Sequence, residues 1–200
     1  VVVHKTIKII DDSKYKQSHI QSTAIKIEDK HGPLTIAAIY CPPRHIITTI
    51  QYKDYLQTLG HRFIVGGDFN CKHTDWGSRL TNAKGKTLLN VIKTNNAKFI
   101  STGEPTYWPA DTHKKPDLID FAIYKNITNE KLRTKSCWEL TSDHSSIIIN
   151  YDEEAKQKYL NSRPYNRNTN WNTYKELIDT NLNTKTPMRN HTDIERSIIH

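Results

Sequence analysis

Phe63-Ile64-Val65-Gly66-Gly67-Asp68-Phe69-Asn70 is the stretch against which the rest of the chain is read. Phe63-Ile64-Val65 has the composition and length of a strand, and two glycines end it abruptly. Asp68 and Asn70 follow, a carboxylate and a carboxamide at positions i and i+2. In extended chain such positions point the same way, so both polar heads leave the strand end on one side. An acid beside an amide suits a metal or phosphate site, where the acid supplies charge and the amide an oriented donor. The same residues are ordinary turn formers, and the choice between turn and chemistry depends on what surrounds them.

Working outward toward the N-terminus, residues 1–10 are rich in β-branched side chains and residues 23–28 alternate apolar with polar. A turn at 29–33 leads into the nearly continuous apolar run 34–40, which predicts a hairpin whose second strand is buried on both faces. Pro42-Pro43 stop that strand, since proline cannot donate to a ladder. Ile46, Ile50, Leu56 and Leu59 fall at roughly helical spacing and predict a helix over 46–59, closed by Gly60. On the other side, residues 82–95 predict a second helix with Leu88, Leu89, Val91 and Ile92 as its apolar face. A short strand over 98–101 follows, then a loop over 103–116 carrying Tyr107 and Trp108, then strands over 118–124, 132–140 and 145–151. After Tyr151 the composition turns charged and Asn/Arg-rich, which predicts a linker over 152–170. Trp171, Tyr174, Leu177, Ile178 and Leu182 then fall on one helical stripe. The organisation is therefore a mixed α/β region at 1–151 and a linker with an amphipathic helix at 152–200.

Two hundred residues suit one domain with a tail. A hydrophobic content of 36% and a mean hydropathy of -0.72 predict that part of the chain is loosely packed. The net charge of +8 and pI near 9.3 favour a polyanionic partner, nucleic acid ahead of an anionic membrane. The three cysteines are far apart and form no C-x-x-C, and the ten histidines lack zinc-site spacing. Neither a disulfide framework nor a zinc site is indicated, and a reducing intracellular setting is expected. No apolar run approaches the ~20 residues of a membrane-spanning helix.

Three further polar clusters sit at strand boundaries. Tyr40 ends the buried strand beside Pro42. Asp120 lies within the apolar run Leu118-Ile119-Asp120-Phe121-Ala122-Ile123, where an unpaired carboxylate costs several kcal/mol, in rough terms, and needs a cation or donors. Ser142-Asp143-His144 places an acid and an imidazole side by side ahead of an isoleucine-rich strand. Each has an ordinary explanation alone: a core aromatic, an edge-strand acid, a turn with a structural histidine. Together they assemble the parts of metal-assisted phosphodiester cleavage: anions for a divalent ion, a base, and phosphate donors.

Gly67-Asp68-Phe69-Asn70, Ile119-Asp120-Phe121 and Ser142-Asp143-His144, in this order and at these separations, resemble the endonuclease/exonuclease/phosphatase superfamily. The run His73-Thr74-Asp75-Trp76-Gly77-Ser78-Arg79, followed by Asn82-Ala83-Lys84-Gly85-Lys86-Thr87-Leu88-Leu89, looks more particularly like the endonuclease domain of jockey-type non-LTR retrotransposons. The resemblance covers residues 1–151 and implies a two-sheet α/β (α+β) sandwich flanked by helices, cutting DNA with Mg²⁺ or Mn²⁺. It implies that Asp68 activates water or assists the leaving group, that Asn70 orients the scissile phosphate, and that Tyr40 donates to it. Asp120 would pair with His144 and fix its tautomer, Asp143 would sit at the metal side with Asp68, and Ser142 and Thr106 would hold the Asp–His unit and the phosphate. Arg79 joins them as a phosphate or DNA contact, with Tyr107, Trp108, Lys114 and Lys115 as further candidates for contacting DNA. The partners implied are DNA and, through a parent polyprotein, element RNA and a reverse transcriptase; no membrane is implied, and a nuclear setting follows from the DNA target.

The chain departs from the pattern at its start. The family begins with a strand ending in asparagine and a second strand carrying a metal-binding glutamate, and neither can be placed; Glu28 and Glu104 stand in the wrong context. A missing carboxylate weakens Mg²⁺ binding, so the expectation is a truncated or decayed copy with weak or no activity and with strands absent from one sheet. The alternatives are a non-catalytic nucleic-acid-binding remnant and, further off, a superfamily phosphatase.

Overall fold

The computed structural model describes residues 2–111, 113–138, 142–157 and 167–181. The chain divides into two compact units, Val1–Tyr159 and Leu160–His200. In the first, strands β1 (Ile9–Lys16), β2 (Gln21–Asp29) and β3 (Gly32–Tyr40) are followed by helix α1 (Thr49–Thr58), β4 (Phe63–Asp68), a 3-10 turn at Thr74–Trp76 and helix α2 (Ala83–Thr94). Strands β5 (Lys98–Ile100), β6 (Asp120–Lys125), β7 (Leu132–Cys137) and β8 (Ser146–Tyr151) complete it. Six strands form one sheet in the order β1-β2-β3-β4-β6-β5, and β7 pairs with β8 in a second, two-stranded sheet. Among the described residues only β3 and β4 run parallel, joined by the α1 crossover; every other strand pair there is antiparallel. The expected two-sheet α/β architecture with flanking helices is what the structure holds.

Alternation along β4 sorts the two cores. Phe63 and Val65 join Phe121, Ile123 and the inner faces of α1 and α2 in one cluster, while Ile64 joins Leu34, Tyr124 and Leu132 beneath the smaller sheet. Helix α2 begins at its Asn82 cap and buries Leu88, Leu89, Val91 and Ile92, the face that periodicity predicts. Helix α1 differs from expectation. Thr48 and Gln51 close a capping box that starts the helix later than residue 46, leaving Ile46 90% and Ile50 70% exposed. Its buried stripe is Tyr52, Tyr55, Leu56 and Leu59. The two tyrosines enter the core because their hydroxyls find partners, Cys71 Sγ for Tyr52 and Ser22 Oγ for Tyr55.

Three more expectations need correcting. The first strand is β1 at Ile9–Lys16, not residues 1–10; it is an almost wholly exposed edge rich in charge, so it carries no apolar signature. Strand β4 runs through both glycines to Asp68 instead of ending at them. Residues 152–157 are not a linker: Ala155 bridges Asp29, Gln157 bridges Ile7, and the Lys156 N–H donates to the Glu28 carbonyl at 2.7 Å. The first compact unit therefore extends past residue 151. In the second unit, helix α3 (Trp171–Asn181) is capped by the Asn170 side chain, which accepts from the N–H groups of Asn172 and Thr173. Trp171 and Tyr174 meet edge to face on it, and Leu182 of the expected stripe lies outside the described residues.

The two sheets are locked at the end where β4 begins. Arg62 makes a bidentate pair with buried Asp29, at 2.9 and 2.6 Å, and the Tyr151 hydroxyl donates to the same carboxylate at 2.7 Å. Burial by itself would raise Asp29, but Arg62, Tyr151 and the His31 N–H bring its carboxyl down to about 2. A folded-state value below the unfolded one means that this stabilisation is present above about pH 4 and is lost as pH falls toward 2. Arg62→Ala leaves a buried, unpaired carboxylate and should cost about 3 kcal/mol in urea unfolding at pH 7. A loss under 1 kcal/mol would show the lock to be dispensable.

Candidate active site

Tyr40, Asp68 and Asp120 stand in one row across three strands. The register pairs Tyr40 with Asp68 between β3 and β4, and Asp68 with Asp120 between β4 and β6. The glycines before Asp68 make this end of β4 possible. A Cβ on Gly66 would lie 2.7 Å from Ile149 Cδ1, so glycine admits the side chain of β8. Gly67 has φ +147° and a Cβ there would lie 2.1 Å from the Ile39 carbonyl oxygen, so only glycine lets β3 approach.

Asp68 is gripped from one side by Asn70. The Asn70 N–H donates to one carboxylate oxygen at 2.7 Å and its Nδ2 to the other at 2.6 Å, with Nδ2 also donating to the Cys41 carbonyl at 3.1 Å. A φ of 47° at Asn70, a conformation asparagine tolerates, folds the side chain back to do this. Both amide protons are thereby spent, so Asn70 holds Asp68 where a phosphate-orienting role was expected. Burial, and next the neighbouring Asp120 carboxylate, push Asp68 up to about 6.

Asp120 opens β6, two residues later than the strand was expected to begin, and its partner comes from the segment just before β8. His144 Nδ1 lies 2.9 Å from Asp120 Oδ2. With the carboxylate accepting from Nδ1–H, the imidazole is fixed as the tautomer that leaves Nε2 for chemistry. The Tyr107 ring rests 5.0 Å from the imidazole, centroid to centroid. A cleft of about 430 Å³ opens between the sheets, lined by Gly66, Asp120, Ser142 and His144 and floored by isoleucines including Ile64 and Ile149.

One family model, described as endonuclease-reverse transcriptase, matches residues 34–148, more than half of the chain, and includes Tyr40, Asp68, Asn70, Asp120 and His144. The chain belongs to the endonuclease-reverse transcriptase family. It is 31% identical, over 90% of its length, to the probable RNA-directed DNA polymerase from transposon X-element of Drosophila melanogaster, and 26% identical, over 99%, to the RNA-directed DNA polymerase from mobile element jockey of Drosophila funebris. The chain spans about a fifth of the length of these curated relatives, 20% and 22%. Among solved structures it is similar to the endonuclease domain of TRAS1, a telomere-specific non-LTR retrotransposon, with a TM-score of 0.59 and 22% identity over 70% of this chain and 68% of that one. The likeness to jockey-type elements drawn from the motifs is thus met at the level of family and fold.

In this member of the family, several residues expected at the phosphate make bonds within the protein. Thr106 is fully buried; its hydroxyl accepts from the N–H groups of Ile119 and Asp120 at 3.1 and 3.0 Å, and its carbonyl accepts from the Ser145 N–H at 2.8 Å. It ties the start of β6 to the segment bearing His144. Ser142 accepts from the His144 N–H at 3.1 Å and shapes that bend. Arg79 donates through Nε to the Pro116 carbonyl at 3.0 Å and lies 3.7 Å from Asp117, strapping the loop before β6 while its head stays partly exposed. Asp143, expected as a metal ligand, carries an exposed carboxylate on the same bend, and its backbone carbonyl accepts from the Trp108 N–H at 2.7 Å. Among the described residues no three or more His, Cys, Asp or Glu side chains are grouped to hold a metal ion. Of the two expected ligands, Asp143 is an exposed carboxylate and Asp68 a half-buried one crowded by another acid, which a cation would relieve. Mg²⁺ is commonly held by one or two carboxylates with water and phosphate completing the shell, and Asp68 fits that mode.

Two residues went unread in the sequence. Asp117 is 1% exposed and receives Lys72 Nζ at 2.8 Å as well as the N–H groups of Arg79 and Leu118. The signal was available, since the reasoning applied to Asp120 holds for an acid opening the same apolar run. Lys84 donates to the Pro42 carbonyl at 3.1 Å, and its charge is felt at Asp68. A lysine in the first turn of a helix opposes the macrodipole, and that mismatch marks it.

Because Asp68 is raised from an ordinary 3.8 to about 6, its contribution to stability is full below about pH 4 and is lost as pH rises through 6. In EDTA the chain should lose stability over that window by on the order of 1 kcal/mol more than Asp68→Asn does, once solvent screening is allowed for. Millimolar Mg²⁺ at pH 7 should raise the Tm of the parent chain but not of the variant. Parallel pH profiles for the two proteins would show that Asp68 is not under electrostatic stress.

Proposed function

We propose that this chain is the DNA-nicking endonuclease portion of a retroelement polyprotein whose other activity is reverse transcription. The observation that carries the reading is the chain of contacts from Asp68 to Asp120 to His144: the β4–β6 register sets Asp68 beside Asp120, and Asp120 pairs with His144 at the cleft between the sheets. Family membership supports a hydrolytic nuclease, and the +8 charge supports a polyanionic substrate. A groove lined by Lys72, Arg79, His113, Lys114 and Lys115 adjoins the site through Tyr107, and such a cationic track suits phosphate backbone on either side of the cut.

A divalent cation held at Asp68, Mg²⁺ or Mn²⁺, would offset the charge that builds on the phosphate and the departing oxygen. The chain's own groups do the rest. Asn70 fixes the Asp68 carboxylate, and the Tyr40 hydroxyl, at the exposed end of the row, donates to a phosphate oxygen. Asp120 holds His144 so that Nε2 exchanges a proton with the water or the leaving oxygen as the P–O bond breaks. Asp68 and His144 are both eligible as the general base.

A second reading has one observation in its favour: the missing third acid among the described residues fits a DNA-binding remnant that no longer cuts. Supercoiled plasmid decides between them. Nicking that requires Mg²⁺ and falls on the order of 10²-fold or more in His144→Ala and Asp120→Asn supports the enzyme. Salt-sensitive binding that Mg²⁺ leaves unchanged supports the remnant, and full nicking by His144→Ala overturns the roles assigned here.

A further inference from the structure

Beside the segment that bears His144 stands a pair of tryptophans whose exposed faces neither the fold nor the reaction uses. Trp108 and Trp138 touch at 5.1 Å between ring centroids with their planes at 63°, and they remain 39% and 57% exposed. Indoles left this wet forgo the burial that usually accounts for tryptophan in a small domain. Trp76, by contrast, is 1% exposed and stacked on Phe121.

Trp108 is also held in place. Trp108 Nε1 donates to Ser145 Oγ at 3.0 Å, the Trp108 N–H donates to the Asp143 carbonyl at 2.7 Å, and the Ser145 N–H donates to the Thr106 carbonyl at 2.8 Å. These bonds bracket His144 on both sides in the chain. Trp138 reaches it from the residue after β7, across the sheet from β8. Tyr107, next to Trp108 in the chain, lines the groove that carries Lys114 and Lys115. Aromatic faces beside a cationic groove are what single-stranded nucleic acid binds, with bases on the aromatics and phosphates on the cations.

We propose that Trp108 and Trp138 form a stacking platform for one unstacked nucleobase of the DNA strand being cut, seated next to the scissile phosphate. This rests on the DNA-acting reading above and adds to it how the strand is positioned. The base lies against one indole face with its edge toward the other, so the contact is sequence-tolerant and favours DNA whose bases already open.

The test is binding in EDTA, so that cutting plays no part. The full chain is titrated against a fluorescently labelled single-stranded DNA octamer and against the same backbone with abasic sites. The base-bearing strand should bind about 10-fold more tightly, and Trp138→Ala should erase that gap while leaving abasic affinity unchanged. Trp138→Phe, which keeps a stacking face, should restore most of it. Since Trp138 is largely exposed, loss of folding is not expected, and far-ultraviolet circular dichroism checks it. An equal affinity for both strands, or a gap that survives Trp138→Ala, overturns the platform even if plasmid nicking is intact. A base-dependent gap without any nicking supports the platform and removes the nuclease reading instead.

Discussion

Asp68 and Asp120 carry like charges at the same level of neighbouring strands, and keeping them there is the constraint the rest of the molecule answers to. Two carboxylates side by side in a partly buried place repel and are poorly solvated. The fold supplies compensation from separate directions: Asn70 donates twice to Asp68, His144 meets Asp120, and Lys84 adds positive charge from the start of α2. Most of these groups lie on different elements, so the arrangement exists only when the sheets and the helix layer have all come together.

The Trp76-Gly77-Ser78-Arg79 run belongs to the same support. Trp76 stacks on Phe121, Ser78 Oγ donates to the Leu118 carbonyl at 2.7 Å, and the Arg79 N–H donates to Asp117 at 2.9 Å. Each bond lands within a few residues of Asp120. A run that marks the subfamily in sequence thus serves, in space, to anchor the start of the strand on which the acid sits. The same holds for Thr106, whose hydroxyl satisfies two buried N–H groups that would otherwise be left unpaired.

Elements with strong periodicity could be read from the chain alone. The β2–β3 hairpin, the whole apolar face of α2 and the order of strand-end polar residues emerge as expected, because each rests on alternation, capping or a turn that local chemistry decides. What escaped depends on partners distant in sequence. β1 is polar because it is an edge, and α1 buries tyrosines because Ser22 and Cys71 meet their hydroxyls. The glycines at 66 and 67 mark crowding by Ile149 and β3, not the end of a strand. The inward turn of Thr106 and the exposed carboxylate of Asp143 are likewise set by the packing of loops against β6 and β8, to which spacing in the chain is blind.

The two ends of β4 do separate jobs. At one, Arg62 and Asp29 clamp the sheets with a well-matched pair; at the other, Asp68 stands under electrostatic stress. Six residues of strand put them about 20 Å apart, far enough for substitutions at the two ends to combine additively. Robustness and reactivity in this domain can therefore drift independently, and a lineage that has lost its chemistry can keep its shape for as long as the clamp is spared.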